Sequence, residues 1–386
     1  MINELLPTLT PKIAALRRDI HAHPELAFDE KRTSEKVAAY LDGLGLEVHR
    51  GVARTGVVAK LSLGASPRAI GLRAEMDALP LAELNTFPHH STHEGKMHAC
   101  GHDGHTAMLL GAAEALSTLR NFDGTVYFIF QPAEEHAGGG RVMVEEGLFE
   151  RFPMDRVFGL HNWPGMPVGS FGVTEGPVMA GTDSFEIIIT GRGGHAAMPH
   201  QAVDVVLAGS ALVQAVQSLV SRDTDPLAAA VVSVTRFHAG HADNILPETA
   251  MLGGTVRTLN GELQDAMEAG LRRVCAGIEA TYRVSIDLRY ERGYPPTTNA
   301  PEPTFIAREV AREVVGDAKV LTHLPPSMGA EDFAYMARVV PACYVWLGNG
   351  PGEGGCMLHS PHYDFNDEII ATGIRYWVRL AQRALA

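Results

Sequence analysis

The densest run of residues able to hold a metal or move a proton is His98-Ala99-Cys100-Gly101-His102-Asp103-Gly104-His105, which follows a loop carrying His89, His90 and His93. Thiolate and imidazole suit zinc and its first-row neighbours. Cys100 and His102 stand two apart, so in extended backbone both side chains leave on the same side. By itself the cluster is equally compatible with an inert buried thiol and solvated loop histidines. A second feature is Glu134-Glu135, just after the apolar stretch 126–130 and Pro132. Adjacent carboxylates at a strand end point to different sides, so one can bind a metal while its neighbour faces a substrate water. A surface acidic pair is the alternative, but it would sit in polar surroundings. His161 and His359 are each flanked by apolar residues, and each alone reads as a hydrogen-bonded core histidine. With Cys100, His102 and Glu135 they supply enough donors for two ions sharing one ligand.

These residues need elements to position them. Periodicity predicts a helix capped by Thr10 with Pro11 at its first position, its apolar face formed by Ile13, Leu16 and Ile20 and its end set by Pro24. A second helix carries Val37, Tyr40, Leu41 and Leu44 and stops at Gly45. The stretches 46–63 and 69–76 read as strands, 105–119 as a helix, 126–130 as a strand, 141–147 as a helix and 156–160 as a strand delivering His161. Two strands therefore end on titratable residues, and in open α/β sheets the crevice beyond the strand C-termini is the ligand site. Between 182 and 292 the pattern changes to strand, helix, two strands, helix and strand, a ferredoxin-like βαββαβ unit. Helices then return at 302–315, 331–338 and 367–385 around a strand at 343–347. The expected fold class is α/β, with a central sheet flanked by helices in a catalytic domain of 1–181 and 293–386, interrupted by an inserted domain at 182–292.

With 32 basic and 45 acidic residues among 386, the chain carries a formal charge of −13. That field repels phosphate backbones and anionic membranes, so neither nucleic acid nor a membrane is an expected partner. The N-terminal stretch lacks the apolar core and cleavage site of a signal peptide, which makes the cytoplasm the expected compartment. Cys100, Cys275, Cys343 and Cys356 show no paired spacing, arguing against a disulfide framework or a zinc ribbon.

The blocks 17–26, 97–106, 131–135, 159–164, 193–200 and 358–367, taken in order, resemble the metal-dependent amidohydrolase family of hippurate hydrolases, auxin-conjugate hydrolases and related aminoacylases. The resemblance implies a di-metal catalytic domain and a lid domain that also joins subunits, as a homodimer or homotetramer. It makes Cys100 the ligand shared by two divalent ions, zinc or manganese foremost and cobalt or nickel also compatible. His102 and His161 would complete one ion, Glu135 and His359 the other, and Glu134 would be the general base. His195 matches the family's lid histidine, which stabilises the oxyanion from its own chain or across a dimer interface. Asn244 and Arg257 resemble lid residues that grip a substrate carboxylate. The wider superfamily's His-x-Asp pattern is replaced here by Glu75-Met76-Asp77, with His102 in place of the missing histidine and Asp77 left to orient a ligand. Glu75 stands where the branch usually has Asp. Asp103, His105 and Glu331 fall in similar motifs without a ligand role, and His21 and His23 read as structural. The implied substrate is a small N-acyl, hippurate-like amino acid. The rival readings are a dipeptidase or carboxypeptidase with the same centre, a metal-free Cys100 nucleophile, and a binding protein on a decayed hydrolase fold.

Overall fold

Four apolar strands set the frame of the larger unit. Gly124–Gln131, Ala69–Glu75, Arg156–Pro164 and Ala342–Gly350 lie side by side and parallel in the computed structural model, which describes residues 2–352 and 356–386. Each is buried along nearly its whole length, as a parallel strand covered on both faces must be. Gly56–Leu63 and Glu47–Val52 extend the sheet on one side, Phe171–Gly172 and Val320–Leu321 on the other, giving a mixed sheet of eight strands. The flanking helix His102–Leu119 packs between Ile2–His21 and Ile370–Ala384. The last of these turns Ile370, Ile374, Trp377, Val378 and Ala381 inward, the three-to-four spacing of one apolar face. This unit comprises residues 1–176, 298–325 and 332–386.

Three local expectations are corrected here. The first helix runs Ile2–His21 with Pro7 and Pro11 inside it, rather than starting at Thr10. Its buried face, Leu6, Leu9, Ile13, Arg17 and Ile20, continues through both prolines, so packing outweighs the lost backbone donors. The third helix begins at His102, not His105, because Gly101 at φ +95° turns the chain straight into it. His161 lies inside its strand rather than beyond it, since Ala342–Gly350 pairs alongside and places Trp346 opposite His161.

Residues 177–297 and 326–331 form a second unit. Its four antiparallel strands, Gly181–Thr190, Ala230–Ala239, Thr249–Thr258 and Ser285–Arg292, are ordered 2-3-1-4, and the chain order is strand, helix, two strands, helix, strand, the ferredoxin-like arrangement. Alternate residues Phe185, Ile187 and Ile189 face Ala208, Leu212, Met267 and Leu271 in a core of their own. Asp204 caps the helix Val205–Ala215, accepting from the N–H groups of Val206 and Leu207, and Asn260 caps Gly261–Tyr282. No helix among the described residues is long and apolar enough to cross a membrane.

Candidate metal centre

Because the four central strands are parallel, their C-terminal ends meet at one edge of the sheet, and the strand ends and loops at that edge carry the titratable residues. Cys100 and His102 come from the segment entering the third helix. They converge because Gly101 between them is left-handed, not because the backbone is extended as the spacing suggested. A Cβ at position 101 would collide with Asn162 Oδ1 and with the Tyr363 hydroxyl, so only glycine fits. Glu134 and Glu135 lie in a turn three and four residues beyond the strand end at Gln131, not at the strand end itself. His359, at φ +64°, donates its backbone N–H to the Ala99 carbonyl at 2.7 Å, which ties its loop to Cys100.

Of five groups of possible ligand atoms among the described residues, two share Cys100. One set is Cys100, His102 and His161, the other Cys100, Glu135 and His359, and within each the candidate ligand atoms all lie within 4.8 Å of one another. Cys100 Sγ is 3.4 Å from His161 Nε2, and His359 Nε2 is 3.4 Å from Glu135 Oε1. One sulfur, three imidazoles and a carboxylate are a donor chemistry that fits two borderline divalent ions with a common thiolate. Cys100, His102 and His161 are buried, whereas the His359 side chain is about half exposed at 53%.

Neighbouring groups fix which ring nitrogen each histidine presents. His161 Nδ1 lies 2.6 Å from the Asn162 carbonyl oxygen, an acceptor only, so Nδ1 carries the proton and Nε2 faces the sulfur. His102 Nδ1 is likewise directed at Asp77, which also accepts the Glu135 backbone N–H on Oδ2 at 2.9 Å. Burial pushes the Asp77 carboxyl up, but His102 and the N–H groups of Glu134 and Glu135 outweigh it and hold it below the usual range. Glu135 is likewise held low against burial, by His359 and His102. Glu134, 6% exposed, takes the Asp332 backbone N–H on Oε1 at 3.4 Å. His98 joins neither donor set, and burial pushes it down to about 4.

Asn162 and Asp332 were not singled out from the sequence, and Glu75 was noted only for standing where Asp is usual. Asn162 accepts from His161, donates its backbone N–H to His105 Nε2 at 3.0 Å and donates its amide to Tyr363. Asp332 accepts from Gln131, Arg73 and the Gly140 N–H. Glu75 pairs with Arg73 and receives His105 Nδ1 at 2.7 Å, so the longer side chain closes a buried chain of contacts from Arg73 to His105. Adjacency of Asn162 to His161 was the one available signal. Asp332 comes from the start of the helix Phe333–Ala337, far along the chain, and leaves no local pattern.

In the smaller unit, His195 and Asn244 line one groove with His241, Leu246 and Glu248. Residues 194–195 pair with 245–246, and the Ala196 N–H donates to the Asn244 carbonyl at 3.0 Å. His195 Nδ1 accepts the Ala197 N–H at 3.1 Å, which leaves its proton on Nε2 as an outward donor. Arg257 is not among the residues lining that groove. It lies eight residues beyond Thr249 on the same strand, about 26 Å away at about 3.3 Å per residue. There it is half-buried, and burial pulls its guanidinium below the usual value.

The chain is similar to known proteins over nearly its whole length. The sequence model of peptidase family M20/M25/M40 matches residues 71–383. The hippurate hydrolase of Campylobacter jejuni is 42% identical over 388 residues, covering 100% of this chain and 99% of that one. An N-acetylcysteine deacetylase of Bacillus subtilis is 39% identical over 96% of each chain. The solved structure of a dinuclear metal-binding M20 peptidase from Bacillus subtilis superimposes with a TM-score of 0.86 at 35% identity, covering 98% of this chain and 99% of that one. The chain belongs to the M20 peptidase family. Within that family it is an amidohydrolase of the hippurate hydrolase and deacetylase type.

Proposed function

We propose that the protein hydrolyses the amide bond of N-acyl, hippurate-like amino acids to a carboxylic acid and a free amino acid, using two divalent ions. The observation that carries the reading is the pair of donor sets sharing Cys100, with Glu134 buried beside them. Cys100 would serve both ions, His102 and His161 one, Glu135 and His359 the other. Bound there, such ions would supply the Lewis acidity that activates water and polarises an amide carbonyl. Glu134 takes the proton of the attacking water on a carboxylate oxygen and returns it to the departing amine nitrogen, while Asp332 holds Oε1 in place. Asp77 and the Asn162 carbonyl keep the His102 and His161 rings in the tautomer that offers Nε2. The oxyanion of the tetrahedral intermediate needs a donor, a role the reading assigns to His195 through its Nε2–H. Asn244 and Arg257 are assigned to the substrate carboxylate from different copies of the chain, because about 26 Å of strand separates Arg257 from the groove lined by Asn244 on one copy, and residues 182–292 are assigned to a lid that also joins two or four subunits. The cytoplasm is the proposed compartment.

Hydrolysis of N-benzoyl, N-acetyl and indole-acetyl amino acids beside simple dipeptides, with EDTA and then zinc or manganese restored, tests the reading. Chelator-sensitive cleavage of N-acyl amino acids is expected. Preferred cleavage of dipeptides would transfer the centre to peptidase chemistry, and chelator-resistant turnover would overturn the metal role.

A further inference from the structure

The presentation of Glu134 and Glu135 depends on one unusual residue. Ala133, between the strand end and the turn that carries the pair, sits at φ +58°, a left-handed conformation that L side chains rarely adopt. Its peptide groups are held on both sides. The carbonyl accepts the Gly139 N–H at 3.0 Å, and the N–H donates to Glu30 Oε1 at 2.9 Å. Gly139 is obligatory, since a Cβ there would collide with the Pro132 carbonyl oxygen.

Glu30 precedes the helix Lys31–Gly43 and is fully buried. Its second oxygen accepts the Thr55 hydroxyl at 2.6 Å, and it forms no ion pair among the described residues. Burial pushes its carboxyl up to about 7. A buried carboxyl without an ion pair is costly, and the groups that hold it here are the Ala133 N–H, the Thr55 hydroxyl and its own backbone N–H. None belongs to a candidate ligand.

We propose that Glu30 is a positioning residue for the metal centre: by holding the Ala133 N–H it fixes the left-handed turn that sends Glu134 toward Asp332 and Glu135 toward Cys100 and His359. The inference rests on the reading of Glu134 as base and Glu135 as ligand. It gives the stretch that ends at Glu30 a function that its residue types do not reveal.

The test compares zinc affinity, by competition with a chromophoric chelator, and kcat and KM in wild type, Glu30→Met, Glu30→Gln and the double variant Glu30→Met/Ala133→Gly. Methionine keeps the volume and removes both acceptors. Glu30→Met should weaken one of the two zinc sites about 10–100-fold, the range for losing a group that orients a ligand, and lower kcat with KM little changed. Glu30→Gln should behave as wild type, because its amide oxygen still accepts from Ala133 and its NH2 can donate to Thr55. Ala133→Gly should recover much of the loss, since glycine adopts the left-handed conformation without steric cost. A Glu30 that only stabilised the fold would, on replacement, lower thermal stability and leave zinc affinity and kcat unchanged. Unchanged zinc affinity and kcat in Glu30→Met, no recovery in the double variant, or loss of zinc in Glu30→Gln overturns the proposal. Should Glu30→Met fail to fold, the glutamine variant decides alone. Wild-type protein that binds no zinc would instead refute the metal centre, which separates the two failures.

Discussion

His102 Nδ1 lies 2.9 Å from the backbone oxygen of Asp77 and 3.2 Å from its Oδ1. Both oxygens only accept, so the ring carries its proton on Nδ1 and offers Nε2 toward Glu135 Oε1, 4.0 Å away. The same carboxylate holds the Glu135 N–H, so one side chain orients a candidate ligand of each ion. Asp77→Asn must place an NH2 against either a ring N–H or a backbone N–H. Zinc affinity should fall about 10–100-fold, read by chelator competition, and an unchanged affinity would show that Asp77 orients nothing.

Glu134→Gln keeps the size and the acceptor for Asp332 but cannot take a proton. Turnover should fall by about 10²–10⁴-fold, while zinc content by elemental analysis stays as in wild type. A fully active variant would remove Glu134 from the chemistry.

Gly101→Ala adds a methyl group where Asn162 and Tyr363 already stand, in a backbone conformation disfavoured for alanine. Stability should drop by about 1–3 kcal/mol in urea unfolding, and zinc binding should weaken with it. A variant of wild-type stability and affinity would contradict the packing described around Gly101.

His21 makes stability depend on pH. Burial works against its charged form, but Asp103 and Glu83 outweigh burial and raise it from 6.5 to about 9. A group raised in the folded state contributes fully below its unfolded value and loses that contribution as pH rises through the folded one. Stability from this source is complete below about pH 6.5 and gone above about pH 9, a change of roughly 3 kcal/mol at 1.36 kcal/mol per pH unit. Urea midpoints measured across that window should fall in wild type, and the part due to this group should vanish in His21→Asn. Equal slopes in the two proteins would count against the ion pair.

What could be read from the sequence was what local pattern encodes. The apolar runs before Glu134 and around His161 gave the sheet, the strand and helix order gave the smaller unit, and clustered His, Cys and Glu pointed to the donors. The helix start at His102 was missed because a left-handed Gly101 leaves no periodic trace. The part of the first helix before Thr10, which carries Pro7, was missed because tertiary packing of Leu6 and Leu9 overrode the proline signal. Arg17 shows the same limit: a basic residue in an amphipathic helix, it is fully buried against Asp103, Asp364 and the Phe365 carbonyl. Those partners come from distant stretches, so their pairing is visible only after folding.

The placement of His359 orders the assembly of the protein. Cys100, His102 and His161 come from neighbouring parts of the chain, whereas the set completed by His359 must wait until Ala342–Gly350 has been synthesised and has paired beside His161. Closing so long a loop is the slow step in such topologies. In the order of synthesis, Cys100, His102 and His161 therefore all precede His359, so every donor of one set is made before the other set has its last member.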